Sequence, residues 1–291
     1  MPYPHVTQGF AYGEGKRANG WSVARIAFEL RGEIAAICQI QEWWIAGLHL
    51  ASRISRGPLF LDPVPDVETI ISIYRQLRNG WGRILTGPLL ITPALPSSKE
   101  NEELLQRIGY RRRHTLGWHS AQIDLGPSEE EIFRGFSSTF RNLSRRAEKQ
   151  DLTLELSNNP EAIDWLIGNY SDRMSALGVK HGDHAFFRAL ATSAGCEFFL
   201  LRAMLNREPV GGTALIHAGR VSEYNVAWHH PSARSLNVGH YLIWNAIREA
   251  KRRGALVFDV GGLAGVESGF STFKRALHGK EYQLLDEHIS I

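Results

Sequence analysis

Two cysteines in 291 residues, Cys38 and Cys196, lie far apart inside apolar runs. They are read as buried thiols, so a disulfide framework is excluded and a reducing compartment is expected. No apolar run approaches the roughly 18 residues a membrane-spanning helix needs. The opening MPYPHVTQGF lacks a basic stretch followed by an apolar core, so no export signal is expected. Charge of one sign is scarce as well: 33 basic and 30 acidic residues leave a net charge of +3. That permits a polyanionic partner without demanding one. The expectation is a cytoplasmic globular chain without a membrane span.

The usual nucleophilic and metal motifs are missing too. No G-x-S-x-G elbow, C-x-x-C pair, H-E-x-x-H helix or phosphate-binding P-loop occurs. His181, Asp183 and His184 form one histidine cluster and His229-His230 another, both at loop ends and neither with a second ligand pair. No metal and no resident cofactor are expected. Cys196 opens an apolar strand, where a thiol is ordinarily inert.

What is present is patterned material for an α/β fold, 43% hydrophobic and long enough for one large or two ordinary domains. WSVARIAFEL and IAAICQIQEWW flank the turn Arg31-Gly32-Glu33 and suit a hairpin. Apolar residues from Val67 to Leu77 recur at helical spacing until Asn79-Gly80. ILTGPLLITP reads as a buried strand, KENEELLQRIG as a helix and HTLGWHSAQIDL as a strand. Ser128 and Glu131 make a capping box for one helix running through IFRGFSSTFRNLSRRAEK. The second half repeats this grammar. Two helices precede the strands CEFFLLRAML, VGGTALIHA and VSEYNVAWH, then GHYLIWNAIREAKRRG leads as a crossover helix into ALVFDVGG. A single closing strand, EYQLLDEHIS, is expected. Two related domains divided near residue 140 follow from this repetition.

Basic residues gather at Arg111 to Arg113, at Arg141, Arg145, Arg146 and Lys149, and at Arg248 and Lys251 to Arg253. Each cluster alone is ordinarily a solvated face, but a phosphate backbone suits all three. RSLNVGHYL opens a helix after a strand, and a helix start is an anion site. Arg234, Asn237 and Gly239 stand there, with Asn237 able to cap the helix. The stretch FDVGG at Phe258 to Gly262 ends a strand in an aspartate and two glycines, and Phe273 and Lys274 arrive side by side shortly afterwards.

This last pattern resembles the signature of the FemX/FemAB family of aminoacyl-tRNA-dependent peptidyltransferases. The spacing of Gln8, Tyr12 and Lys16 is similar to that family's opening, Arg56-Gly57-Pro58 to its first-domain turn, and RNLSRRAEKQDLTLE from Arg141 to a basic segment before a strand. The helix start at Arg234 and Gly239 resembles the pyrophosphate loop of N-acetyltransferases, with Asn237 where the first glycine belongs. The resemblance implies two GNAT-like acyltransferase domains in tandem, residues 1–140 and 141–279, the C-terminal strand at about 280–291 returning to the first. It implies aminoacyl transfer from tRNA to a primary amine of a peptidoglycan precursor or peptide-like metabolite, or acyl-coenzyme A as the alternative donor. DNA is not an expected partner. Lys274 would polarise the acyl carbonyl, positioned by Phe273, with Asp259 a candidate base. Tyr12, Lys16 and Tyr224 would contact the acceptor, and Arg141, Arg145, Arg234, Asn237 and Gly239 the donor's phosphates. The arginine expected to bind a cell-wall acceptor has no counterpart in KHGDHAFFR, where Arg188 comes late.

Overall fold

Alternating apolar residues and turn chemistry build the first sheet. Strands β1 (Ser22–Leu30) and β2 (Glu33–Ile45) are joined by Arg31 and Gly32, at φ of 56° and 83°. Two positive φ values make the tight turn that matches strand twist. Ala46 and Gly47, at φ of 50° and 79°, repeat the device into β3 (Leu48–Gly57). The computed structural model describes residues 5–82, 87–178, 183–193, 197–263 and 269–290.

The chain divides into two compact units, residues 1–119 with 282–291, and residues 120–281. In the first unit, helix α1 (Phe10–Ala18) precedes β1, and β4 (Leu59–Phe60) pairs with β2. Helix α2 (Val67–Trp81) then crosses from β3 to the parallel strand β5 (Leu89–Pro93), and α3 (Lys99–Arg107) leads to the short β6 (Arg111–Arg112). Asp66 caps α2 by accepting from the Thr69 N–H at 2.7 Å. The helix runs through Asn79-Gly80 instead of stopping there. The Trp81 Nε1 donates to Glu42 at 2.7 Å and its ring packs on the core, which holds the last turn. The last strand, β14 (His288–Ser290), lies between β5 and β6.

The second unit begins with β7 (His119–Asp124). The capped stretch from Ser128 folds as two helices, α4 (Glu129–Gly135) and α5 (Ser138–Ala147), rather than one. Phe136 turns extended and is buried against Phe140 and Trp244, and Ser137 starts α5 by accepting from the Phe140 N–H. Then come β8 (Leu152–Ser157), α6 (Pro160–Ala176), α7 (His184–Thr192), β9 (Glu197–Leu205), β10 (Glu208–Ala218) and β11 (Val221–His229). Helix α8 (Val238–Arg252) crosses to the parallel strand β12 (Val257–Asp259), and α9 (Gly269–Arg275) and β13 (Lys280–Gln283) follow. The sheet order is β13-β7-β12-β11-β10-β9-β8.

Each unit is thus a mixed α/β layer in which one helix crosses between neighbouring parallel strands: β3-α2-β5 in the first, β11-α8-β12 in the second. The division falls at residue 119, not near 140, because β7 pairs antiparallel with β12 and draws residues 120–140 into the second unit. The expected closing strand is split: β13 belongs to the second sheet and β14 to the first. Among the described residues no helix is long and apolar enough to cross a membrane.

Candidate active site

Parallel pairing of β11 with β12 covers only three register pairs, Val221 with Val257, Ser222 with Phe258 and Glu223 with Asp259. Past that point β11 continues to His229, while the segment after β12 parts from it, still bonded to β7 through the Val260 N–H and the Ala121 carbonyl at 2.9 Å. Gly261, at φ 72°, passes so close that a Cβ there would stand 2.2 Å from the Tyr224 carbonyl oxygen. Only glycine fits both the left-handed backbone and that approach. Asn225 is a bulge opposite Ala214 and Leu215, a feature that re-aims side chains beside a site.

Into this parting comes Lys274 of α9. It is 3% exposed, and its Nζ donates to the Gly262 carbonyl at 2.9 Å. The ammonium lies 5.6 Å from the Tyr224 ring centroid and 4.5 Å from that of Phe270. Burial pulls Lys274 down to about 8, against the opposing attraction of Asp259 and Glu223. Asp259, 2% exposed, accepts from the Ser120 hydroxyl and, at 2.9 Å, from the Gly261 N–H. Its carboxylate therefore anchors the glycine loop as well as facing Lys274. Tyr224 is buried, and burial raises its phenol well above the ordinary tyrosine value.

Phe273 is the wedge that seats α9. Its ring is 5.9 Å from Phe140 of α5 and 5.1 Å from His240 of α8, whose imidazole is held below its usual value by burial. Gly239 lies beneath it, since a Cβ there would be 3.9 Å from the Phe273 ring. Phe273, His240 and Gly239 thus tie the start of α8 to the helix carrying Lys274.

Asn237 stands at the N-cap of α8 with φ 58° and ψ 34°, and its side chain makes no capping hydrogen bond. It supplies the left-handed turn that a glycine would otherwise give, which asparagine tolerates better than most residues. Arg234 is exposed on the 3₁₀ segment Pro231–Leu236 just before it.

The basic clusters separate by what they hold. Arg141 donates to the Arg134 carbonyl at 2.9 Å and to that of Phe136, closing α4. Arg145 is exposed, 5.4 Å from the Phe133 ring, with Arg146 and Lys149 exposed nearby on the chain. Arg252 and Arg253 pair with Glu249, and Arg248 with Glu129. In the first unit Arg112 pairs with Asp286 and Arg113 with Glu287.

The remaining named residues sit in the first unit. Gln8 donates to the Ser55 carbonyl at 2.8 Å and accepts from the Gln39 N–H at 2.7 Å. A Cβ on Gly57 would come within 2.6 Å of the Gln8 carboxamide, so Gln8 and the Arg56-Gly57-Pro58 turn form one packed unit. Lys16 lies 5.4 Å from the Tyr12 ring centroid. Arg188 is occupied with Asp164. Among the described residues no three His, Cys, Asp or Glu side chains gather at metal-ligand spacing; His181 and Cys196 lie outside the described residues.

Sequence reasoning missed Ser120, Glu223 and His240. Glu223 carried a signal, an acid inside the apolar strand VSEYNVAWH, where burial demands a partner. Ser120 and His240 carried none.

Residues 134–275 match the family described as Acetyltransferase (GNAT) domain. No curated protein matches the chain. Among solved structures, FemX is similar over 100% of this chain and 93% of its own, with TM-score 0.82 and 16% identity. The C-terminal domain of a putative lysylphosphatidylglycerol synthetase from Agrobacterium fabrum is similar over 98% and 89%, with TM-score 0.63 and 14% identity. A tandem GNAT protein from the clavulanic acid biosynthesis pathway is similar over 93% and 83%, with TM-score 0.54 and 12% identity. At these identities the likeness is one of fold, two GNAT-like units in tandem, and the family match lies within the second unit.

Proposed function

We propose that this tandem GNAT chain, FemX-like in fold, moves an aminoacyl group from aminoacyl-tRNA to a primary amine of a peptidoglycan precursor or peptide-like metabolite. The observation that carries the reading is the Lys274 ammonium, buried where β11 and β12 part. An aminoacyl ester is already reactive, so the step needs no enzyme nucleophile. It needs orientation and a positive donor for the carbonyl oxygen. The amine nitrogen attacks the ester carbon, the C–O bond to the tRNA hydroxyl breaks, and the amine's proton leaves with that hydroxyl. Lys274 stabilises the oxygen on which negative charge gathers. Asp259 holds the glycine loop that borders it, and Phe273 fixes the helix that presents it. Exposed Arg145, Arg146 and Lys149 offer charge to a phosphate backbone. Tyr224, whose ring centroid lies 5.6 Å from the Lys274 ammonium, is assigned to the acceptor with Tyr12 and Lys16 by resemblance to the family.

The test is incubation of the full chain with a charged tRNA pool and candidate amines. Discharge with a new amide bond supports the reading. No discharge while coenzyme A thioesters are consumed overturns it. That second donor is favoured by one observation, the start of α8, where the left-handed Asn237 is followed by Gly239 and preceded by the exposed Arg234. A helix start suits a pyrophosphate. A thermal shift on acetyl-coenzyme A, lost in Arg234→Ala, checks it.

A further inference from the structure

We infer that Glu223 is a positioning residue that, with Asp259, fixes the Lys274 ammonium in the parting between β11 and β12. The inference rests on the reading that Lys274 acts as a cation. Glu223 is 3% exposed at the last register pair of the parallel ladder, opposite Asp259. A buried carboxylate costs several kcal/mol unless a positive group and hydrogen bonds answer it. Its neighbour Tyr224 points to the other face of the strand, since successive side chains alternate. Lys274 is 5.6 Å from the Tyr224 ring and is also drawn by the charge of Glu223. A cation that feels both faces of one strand lies at its edge, which is where the ladder has just ended.

The groups facing Lys274 come from four directions. Strand β12 brings Asp259, with Ser120 of β7 hydrogen-bonded behind it. The loop brings the Gly262 carbonyl and α9 the Phe270 ring. Strand β11 brings Glu223, Tyr224 and Asn225, whose Nδ2 is 3.4 Å from the Glu223 carboxylate. One ammonium is therefore set against two acids. Desolvation favours the neutral amine, and the two carboxylates oppose it. Removing the Glu223 charge should let Lys274 lose its proton at lower pH.

The experiment is a 13C-lysine NMR titration of the full-length chain, the Lys274 resonance being assigned by its absence in Lys274→Met. In Glu223→Gln the titration midpoint is expected to fall by about 1 unit or more, the reach of one nearby charge. In Glu223→Asp, which keeps the charge on a shorter stem, it should fall by a smaller step. A folded Glu223→Gln with an unmoved midpoint overturns the inference. If Glu223→Gln does not fold, an unmoved midpoint in Glu223→Asp overturns it equally. The titration reads no transfer. A moving midpoint in a chain that discharges no aminoacyl-tRNA sinks the proposed function alone, and an unmoved midpoint in an active chain sinks this inference alone.

Discussion

Glu223 and Asp259 are register partners in the last step of a parallel ladder, and both are buried where the strands separate. Past them the sheet offers an edge on β11 and a glycine-lined turn on the other side, with one ammonium between. The chemistry proposed for the chain follows from that junction.

Lys274→Met should slow transfer by about 10²–10³, the usual cost of losing an oxyanion donor. The parent's stability should also rise with pH through this lysine. The lysine's folded value, about 8, lies below its ordinary 10.5, so its favourable contribution is complete above 10.5 and is lost as pH falls through 8. At pH 7 the buried charge opposes folding by as much as about 3 kcal/mol. Denaturant midpoints of the variant and the parent at pH 7 and above 10.5 check this: the parent's midpoint should rise relative to the variant's between the two.

Gly261→Ala should cost at least about 2 kcal/mol, combining a left-handed backbone with backbone crowding. The added Cβ would also stand 3.3 Å from the Lys274 Nζ, so transfer should fall together with stability. A thermal melt and a rate on the same preparation read both.

Asn237 supplies a third test. Glycine at that position should be neutral to the fold, since φ 58° is free for it. Valine should cost about 1–2 kcal/mol. Melting temperatures of the two variants distinguish a backbone role from a side-chain cap, which would make glycine costly as well.

Much of the fold was legible because its signals are local. The Arg31-Gly32 turn, the Ser128–Glu131 capping box and the Phe273-Lys274 pair all read from short stretches. Helix α1 was not legible. Gly13 and Gly15 look like loop residues, but Gly13 lets the helix lie on Gln39, 2.3 Å from where a Cβ would be. The break at Phe136 was hidden because serine and phenylalanine there suit a continuing helix, and burial among rings decides otherwise. The domain boundary depends on β7 pairing with a strand more than a hundred residues away. Lys274 was legible in the site, while Ser120 came to Asp259 only through the fold.

In the first unit, Glu287 accepts from Arg53 at 2.5 Å and from Arg113 at 2.9 Å and is nearly fully buried. Glu287→Ala should destabilise that unit by roughly 1–3 kcal/mol through the hydrogen bonds lost to charged groups. Hydrogen exchange of β14, between β5 and β6, is the measurement. Faster exchange there is expected.

The most direct test of the central claim is a crystal structure with a non-hydrolysable aminoacyl-adenosine in which an amide replaces the ester. The account predicts the acyl carbonyl oxygen within about 3 Å of the Lys274 Nζ, at the mouth between β11 and β12. An analogue bound with its carbonyl turned away from Lys274, or bound outside the second unit, would contradict it.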